Sequence, residues 1–289
     1  MKKYLQIEYM KIKGNTSFKV FTLLFLVFMP ILVIVLPSFF KDGFIGVEDS
    51  YPFMPRTASS TWYYATYIAS WFSFYLLSFI IIFHITSEYA AKTVRQNIID
   101  GYSKLDFLKS KIGMVIFMAM TATFYVFFVG LIAVLYFKAN QPDPSTQLLD
   151  MSAMLGGVTG ELSQEFGSVF DGVLFILGFF IQILAYFIVA VFVSVLVRKG
   201  ALAVLLFFGV FFMEMIFRLM LESQGSEAIV NYFPMYSFSK LLPNFELQSL
   251  IFGLGEIESL SMLNVAVSLF YIVLFIFITK LIFYKRDVV

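Results

Sequence analysis

Few side chains in this sequence are suited to chemistry, and their types narrow what that chemistry is. There is no cysteine and one histidine, His84. Disulfides, thiolate metal sites and thiol nucleophiles are therefore excluded, and a cluster of several histidines around a metal cannot form. No Gly-x-x-x-x-Gly-Lys-Ser/Thr loop occurs, so the chain is not expected to hydrolyse nucleotide by itself. Gly-x-Ser-x-Gly and His-Glu-x-x-His are also missing. The chain is expected not to be an enzyme, with no catalytic residue and no metal ligand assigned.

Two places remain where charge stands in an apolar setting. Glu214 and Arg218 are four apart on one helical face with the acid first, the favourable order for a pair. Intramembrane charges are functional candidates by default. The two are read as a structural ion pair or as part of an outer gate. His84 is read as a polar ring at an interface, with a proton-linked role as the other reading.

The densest polar signal is the connector from Ser87 to Lys111, SEYAAKTVRQNIIDGYSKLDFLKSK. Ser87 is expected to cap a first helix, with Glu88 in its first turn where a carboxylate meets the positive helix end. Gly101 is expected to stop that helix in the left-handed conformation. Ser103 and Asp106 are spaced as a capping box that starts a second helix. Tyr89, Val94, Ile98 and Tyr102 recur about every fourth position. This apolar stripe must bury on membrane, on the chain's own bundle or on a partner. Docking to a protein partner would use Glu88, Lys92, Arg95, Gln96 and Asp100.

The elements that must position these residues are membrane helices. The chain of 289 residues is 60% hydrophobic and 13% charged, whereas soluble domains carry about a quarter charged residues. Apolar runs near the roughly 20 residues a bilayer requires lie at 20–40, 62–86, 112–137, 172–197, 201–221 and 261–283. Pro30 and Pro37 are expected to bend the first. Trp62, Tyr63, Tyr64, Tyr67 and Trp71 read as an aromatic belt. Residues 1–19 are expected to form an interfacial amphipathic helix, broken at Gly14-Asn15 and followed by a span that serves as an anchor rather than a cleaved signal. With both termini inside, cytoplasmic Lys and Arg number five in the leader, five in the connector, two at Arg198-Lys199 and three at the end. That is three quarters of the 20 present, which fixes both termini on the cytoplasmic side. The segments 138–171 and 222–260 then lie outside. The second holds short apolar runs around Pro234 and Pro243 that suit re-entrant half-helices. The fold expected is all-α and polytopic, one domain with six transmembrane helices. Net charge is +1, so no field for nucleic acid exists.

Glu88-Tyr89-Ala90-Ala91-Lys92-Thr93-Val94-Arg95, then Ile98 to Lys104 and Lys111, resembles the first cytoplasmic connector of ABC-2 type transporter permeases. The layout is similar too: an N-terminal interfacial helix, six spans, a tight link between spans 4 and 5, and an outer re-entrant element. Lys104 stands where arginine is more frequent in that family, and 138–171 is longer than in its minimal members. The resemblance implies a membrane subunit of an ATP-driven exporter in a cell membrane, the bacterial cytoplasmic membrane being expected. Its connector would couple to a separate cytoplasmic ABC ATPase, and a second permease chain, identical or homologous, would complete the pathway. Glu88, Lys92, Thr93, Arg95, Gly101, Ser103 and Lys104 would serve the coupling. ATP and Mg would be bound by the partner, with no cofactor in this chain. The competing reading is an ion-coupled secondary transporter or channel.

Overall fold

The computed structural model describes residues 2–38, 58–99, 101, 103–139, 169–223, 227–242 and 261–285. Among these the regular structure is all helical. Helix α1 is Lys2–Gly14, and α2 is Thr16–Pro30, continued by a π-turn at Ile31–Val35. Helix α3 is Ala58–Phe72, followed by a π-turn at Ser73–Leu77 and α4 at Ser78–Ala90. The order continues with α5 (Thr93–Ile99), α6 (Lys104–Ala139), α7 (Val169–Val197), α8 (Gly200–Ser223), α9 (Glu227–Val230), α10 (Pro234–Ser239) and α11 (Met262–Lys285).

Six helices are long and apolar enough to cross a membrane: Thr16–Ser38, Thr61–Ala90, Lys104–Phe137, Gly172–Val197, Gly200–Leu221 and Met262–Lys285. They match the six expected runs. The second runs further into the connector than expected, and the third is continuous with the helix expected to start at Ser103. Ser87 therefore caps nothing; it lies inside a helix, and its hydroxyl donates to the His84 carbonyl at 2.8 Å.

The polar punctuation explains the breaks. Asn15 caps α2 by accepting the Ser17 N–H at 2.9 Å. Pro30 cannot donate to the carbonyl one turn back, at Leu26, and the Tyr125 hydroxyl donates to that carbonyl at 2.7 Å instead. The following π-turn is met in the same way, with the Tyr64 hydroxyl donating to the Leu32 carbonyl at 3.2 Å. In the second π-turn Ser73 and Ser78 donate to the carbonyls of Ala69 and Ser73. A buried carbonyl without a donor is costly in an apolar medium; the two tyrosines answer that need in the first span, whereas the Ser73 carbonyl already accepts the Ser78 N–H and the Ser78 hydroxyl adds a second donor.

Helix α7 is the centre of the bundle and packs against α3, α4, α6, α8 and α11. Trp62 is a key residue of this core. It is 5% exposed, buried rather than placed in a belt, and its neighbour Tyr63 is buried as well. Its indole lies between Gly130 of α6 and Gly172 of α7, where an added Cβ would come within 2.5 and 2.7 Å of ring atoms. Those two glycines let three helices close around one large ring. Helices α2, α8 and α11 leave much of their apolar surface exposed.

The ends of the bundle differ. One end gathers α1, α5, the link Arg198-Lys199, and the meeting of α6 with α11, where Phe107 stacks on Phe283. This basic end contains every described residue with positive φ: Lys92 (56°), Arg198 (60°) and Gly101 (97°). Each turns the chain sharply after a helix, the position where glycine is normally preferred. At the opposite end α9 and α10 pack on α8, α7 and α11.

Candidate functional site: a buried ion cluster beneath the connector

Three helices bring charge together at the basic end. Helix α1 contributes Glu8 and Lys11, α4 contributes His84 and Glu88, and α6 contributes Lys111. In a helix, residues four apart share a face, so His84 and Glu88 point the same way from the last turns of α4. Glu8, His84, Glu88 and Lys111 are each at most 6% exposed. The Lys111 ammonium ion-pairs with Glu8 in the shortest contact of the cluster and with Glu88 at 2.7 Å. It also reaches His84 Nε2 at 3.3 Å. His84 Nε2 lies 3.1 Å from Glu8 Oε2 and 3.9 Å from Glu88 Oε1. Lys11 closes the group from the rim, 3.5 Å from Glu8 and 3.3 Å from Glu88. Two carboxylates and two ammonium groups balance, which permits their burial.

Burial by itself would raise the Glu8 carboxyl. The hydrogen bond with His84 and the charge of Lys111 outweigh it and hold the group at about 2. Burial would likewise lower Lys11, but the carboxylates of Glu88 and Glu8 outweigh it and hold that ammonium above the ordinary lysine value.

Glu8, His84 and Glu88 also offer ligand atoms that all lie within 4.8 Å of one another. Counting histidines had pointed to no such grouping; two carboxylates supply what the single imidazole lacks. This is a donor set of the kind that binds zinc or another first-row ion.

The residues expected to serve coupling divide into two groups. Glu88 is turned into the cluster and does not present its carboxylate to a partner. The Thr93 hydroxyl donates back to the Glu88 carbonyl at 3.1 Å and opens α5. Lys104 reaches the Tyr284 carbonyl at 3.3 Å, tying α6 to the end of α11. Ser103 and Asp106 form the expected capping box: Ser103 Oγ accepts the Asp106 N–H at 3.0 Å and donates to its carboxylate at 2.6 Å. Gly101 makes the left-handed turn before it. The apolar stripe buries on the chain's own bundle, with Val94 in the core and Tyr89 and Ile98 packed against it. What α5 leaves exposed is Arg95, Gln96 and Ile99, with Lys92 exposed in the turn just before it. Asp100 and Tyr102 lie outside the described residues.

Arg198 stacks its guanidinium 5.2 Å from the Tyr89 ring, so the link between the fourth and fifth spans also meets the connector.

Glu214 and Arg218 do not form the expected pair. Glu214 accepts the Tyr236 N–H at 3.1 Å, capping the start of α10, and Arg218 lies 5.2 Å from the Tyr236 ring. A helix start offers unpaired N–H groups and partial positive charge, a better partner for a half-buried carboxylate than a flexible side chain on the same helix. Nearby, Gln182 of α7 donates to the Phe238 carbonyl at 2.9 Å, tying α10 to the central helix.

Sequence reasoning missed Glu8 and Lys11 as site residues and underused His84. The available signal was the acid standing alone among the five lysines of the leader, together with one histidine four residues before Glu88. Comparison with family models, curated proteins and solved structures returns no match.

Proposed function

We propose that this chain is the membrane subunit of an ATP-driven exporter. A separate cytoplasmic ABC ATPase would press on α5, and the bundle would pass cargo outward. The observation that carries this reading is the corner formed by α4, α5 and α6. A seven-residue helix is held across the mouth of two spans with its apolar side buried, leaving Lys92, Arg95 and Gln96 turned outward. An exposed basic ridge on a firmly seated helix suits an acidic groove on a soluble partner. The distribution of Lys and Arg supports placing this end, and both termini, in the cytoplasm. Exposed apolar faces on α2, α8 and α11 are in keeping with lipid and with a second permease chain. The α9–α10 segment is read as the outer re-entrant element, held by Glu214.

The expected outcome is that the chain co-purifies with an ATPase and that Arg95→Glu lowers transport about tenfold or more while the protein still assembles in the membrane, a size in keeping with reversing one buried interfacial charge. Intact transport in that variant, with no ATPase associated, would overturn the reading.

A second reading, an ion-coupled transporter, is favoured by one observation: Glu214 holds a carboxylate inside a span and against α10. If it is correct, Glu214→Gln abolishes gradient-driven flux and Arg95→Glu leaves it unchanged.

A further inference from the structure

We infer that Glu8, His84 and Glu88 form a cation-binding site whose occupant is the chain's own Lys111 ammonium, and that this tethered cation docks α1 on the bundle.

The geometry is that of a ligand in a receptor. One positive group sits among three ligating side chains drawn from two other helices. It pairs with Glu8 and Glu88 and lies 3.3 Å from the imidazole nitrogen of His84. All three side chains are buried, and their ligand atoms fall within 4.8 Å of one another. An imidazole nitrogen and two carboxylates directed at one point also form a set that first-row divalent ions accept once that nitrogen has given up its proton. Lys111 reaches that point from α6, two turns inside the helix, so the occupant cannot diffuse away.

The charge count explains why the occupant matters. With Lys111 in place, the two carboxylates are matched by Lys111 and Lys11. Without it, the buried group keeps one uncompensated negative charge, an expensive state. Either a substitute cation enters or the site opens. It can open on one side only: His84 and Glu88 belong to a helix wedged against α7, whereas Glu8 belongs to the peripheral α1. Loss of the cation therefore releases α1. Among the described side chains of α1, Ile12 is buried in the core, Tyr9 meets the Phe117 ring edge-on at 6.4 Å, and Lys11 pairs with Glu88 at 3.3 Å.

The absence of cysteine makes the test direct. Tyr9→Cys with Phe117→Cys, joined by a short bifunctional thiol reagent in the full chain, reports the docked α1. The parent pair is expected to cross-link efficiently. Lys111→Ala should reduce the cross-linked fraction at least about tenfold, because an unpaired buried charge is strongly destabilising. Adding n-propylammonium, which replaces the missing part of the lysine side chain, should restore it. Co2+ should restore it too and give visible absorption bands, which vanish when His84→Ala is added. Undiminished cross-linking in Lys111→Ala would overturn the inference. So would failure of both propylammonium and Co2+ to restore the cross-link in a variant that elutes as the folded protein does. Should Lys111→Ala not fold, Glu8→Gln on the peripheral helix replaces it: loss of the cross-link is expected, and full cross-linking overturns the inference. No ATPase takes part, so the result is independent of the transport reading.

Discussion

Glu8 shows how burial and partners compete at one carboxyl. Burial would favour the neutral acid, yet His84 and Lys111 hold it at about 2, below its ordinary value of 4.5. A depressed carboxyl stabilises the folded arrangement above its ordinary value, and that contribution is lost as pH falls toward the depressed one. Lys11, held above the ordinary lysine value, has the opposite sign: its contribution persists through neutral pH and is lost only at strongly alkaline pH. Docking of α1 is thus expected to be unchanged between about pH 5 and pH 9 and to weaken from about pH 4.5 toward pH 2. A spin label on Tyr9→Cys measures this directly through its mobility. Release with a midpoint near about 6.5, the ordinary histidine value, would mean that His84 rather than Glu8 governs the contact. At the opposite end a single partner decides the placing of Glu214. Its carboxylate takes a backbone N–H at the start of α10 in preference to a side chain on its own helix.

At the scale of elements, the helices are joined where a large side chain meets a missing one. Trp62 of α3 fills the space left by Gly130 of α6 and Gly172 of α7. Gly172→Ala is expected to destabilise the bundle by about 1–3 kcal/mol, the usual cost of overpacking. Combining it with Trp62→Phe should recover part of that loss, because the smaller ring makes room for the methyl group. Thermal unfolding of the two single variants and the double variant tests the coupling; additive losses would show that the ring and the glycine do not constrain each other. The same economy governs the π-turns, where Tyr64 and Tyr125 supply hydroxyls to carbonyls that the helix of the first span leaves open. It also governs the connector. Short α5 is held by Val94 on the core and by the Thr93–Glu88 contact, so it moves with α4 rather than freely.

For the molecule as a whole, acids and bases are distributed unequally. At the basic end Glu8 and Glu88 are internalised with Lys11 and Lys111, while Lys13, Lys19, Lys92, Arg95, Lys109, Lys199, Lys280 and Lys285 stay exposed. The surface there is consequently far more cationic than the net charge of +1 suggests. This suits the cytoplasmic face of a membrane, where anionic lipids attract such residues. Single cysteines at Lys19, Lys109 and Lys199 in the cysteine-free chain are expected to react with a membrane-impermeant thiol reagent only after the membrane is opened. One at Met262 should react in intact cells. Reaction of the first three in intact cells would reverse the orientation.

The sequence by itself determined what depends on local order and solvent. Runs of about 20 apolar residues require helices because lipid offers backbone groups no partner. Gly101 and the Ser103–Asp106 box were readable because capping acts over three residues, and Gly14-Asn15 was readable as a break though not as a cap. Contacts between residues far apart in the chain were not readable. Glu8 and Lys111 are separated by 103 positions, and no periodicity links them. Glu88 looked like a docking residue because spacing says which residues share a helical face but not what that face meets. Only the tertiary structure turned it inward, gave Glu214 to α10 instead of Arg218, and buried Trp62 between two glycines. In each case the deciding term is the desolvation of a charge or a ring, and that term is set by neighbours the chain acquires only on folding.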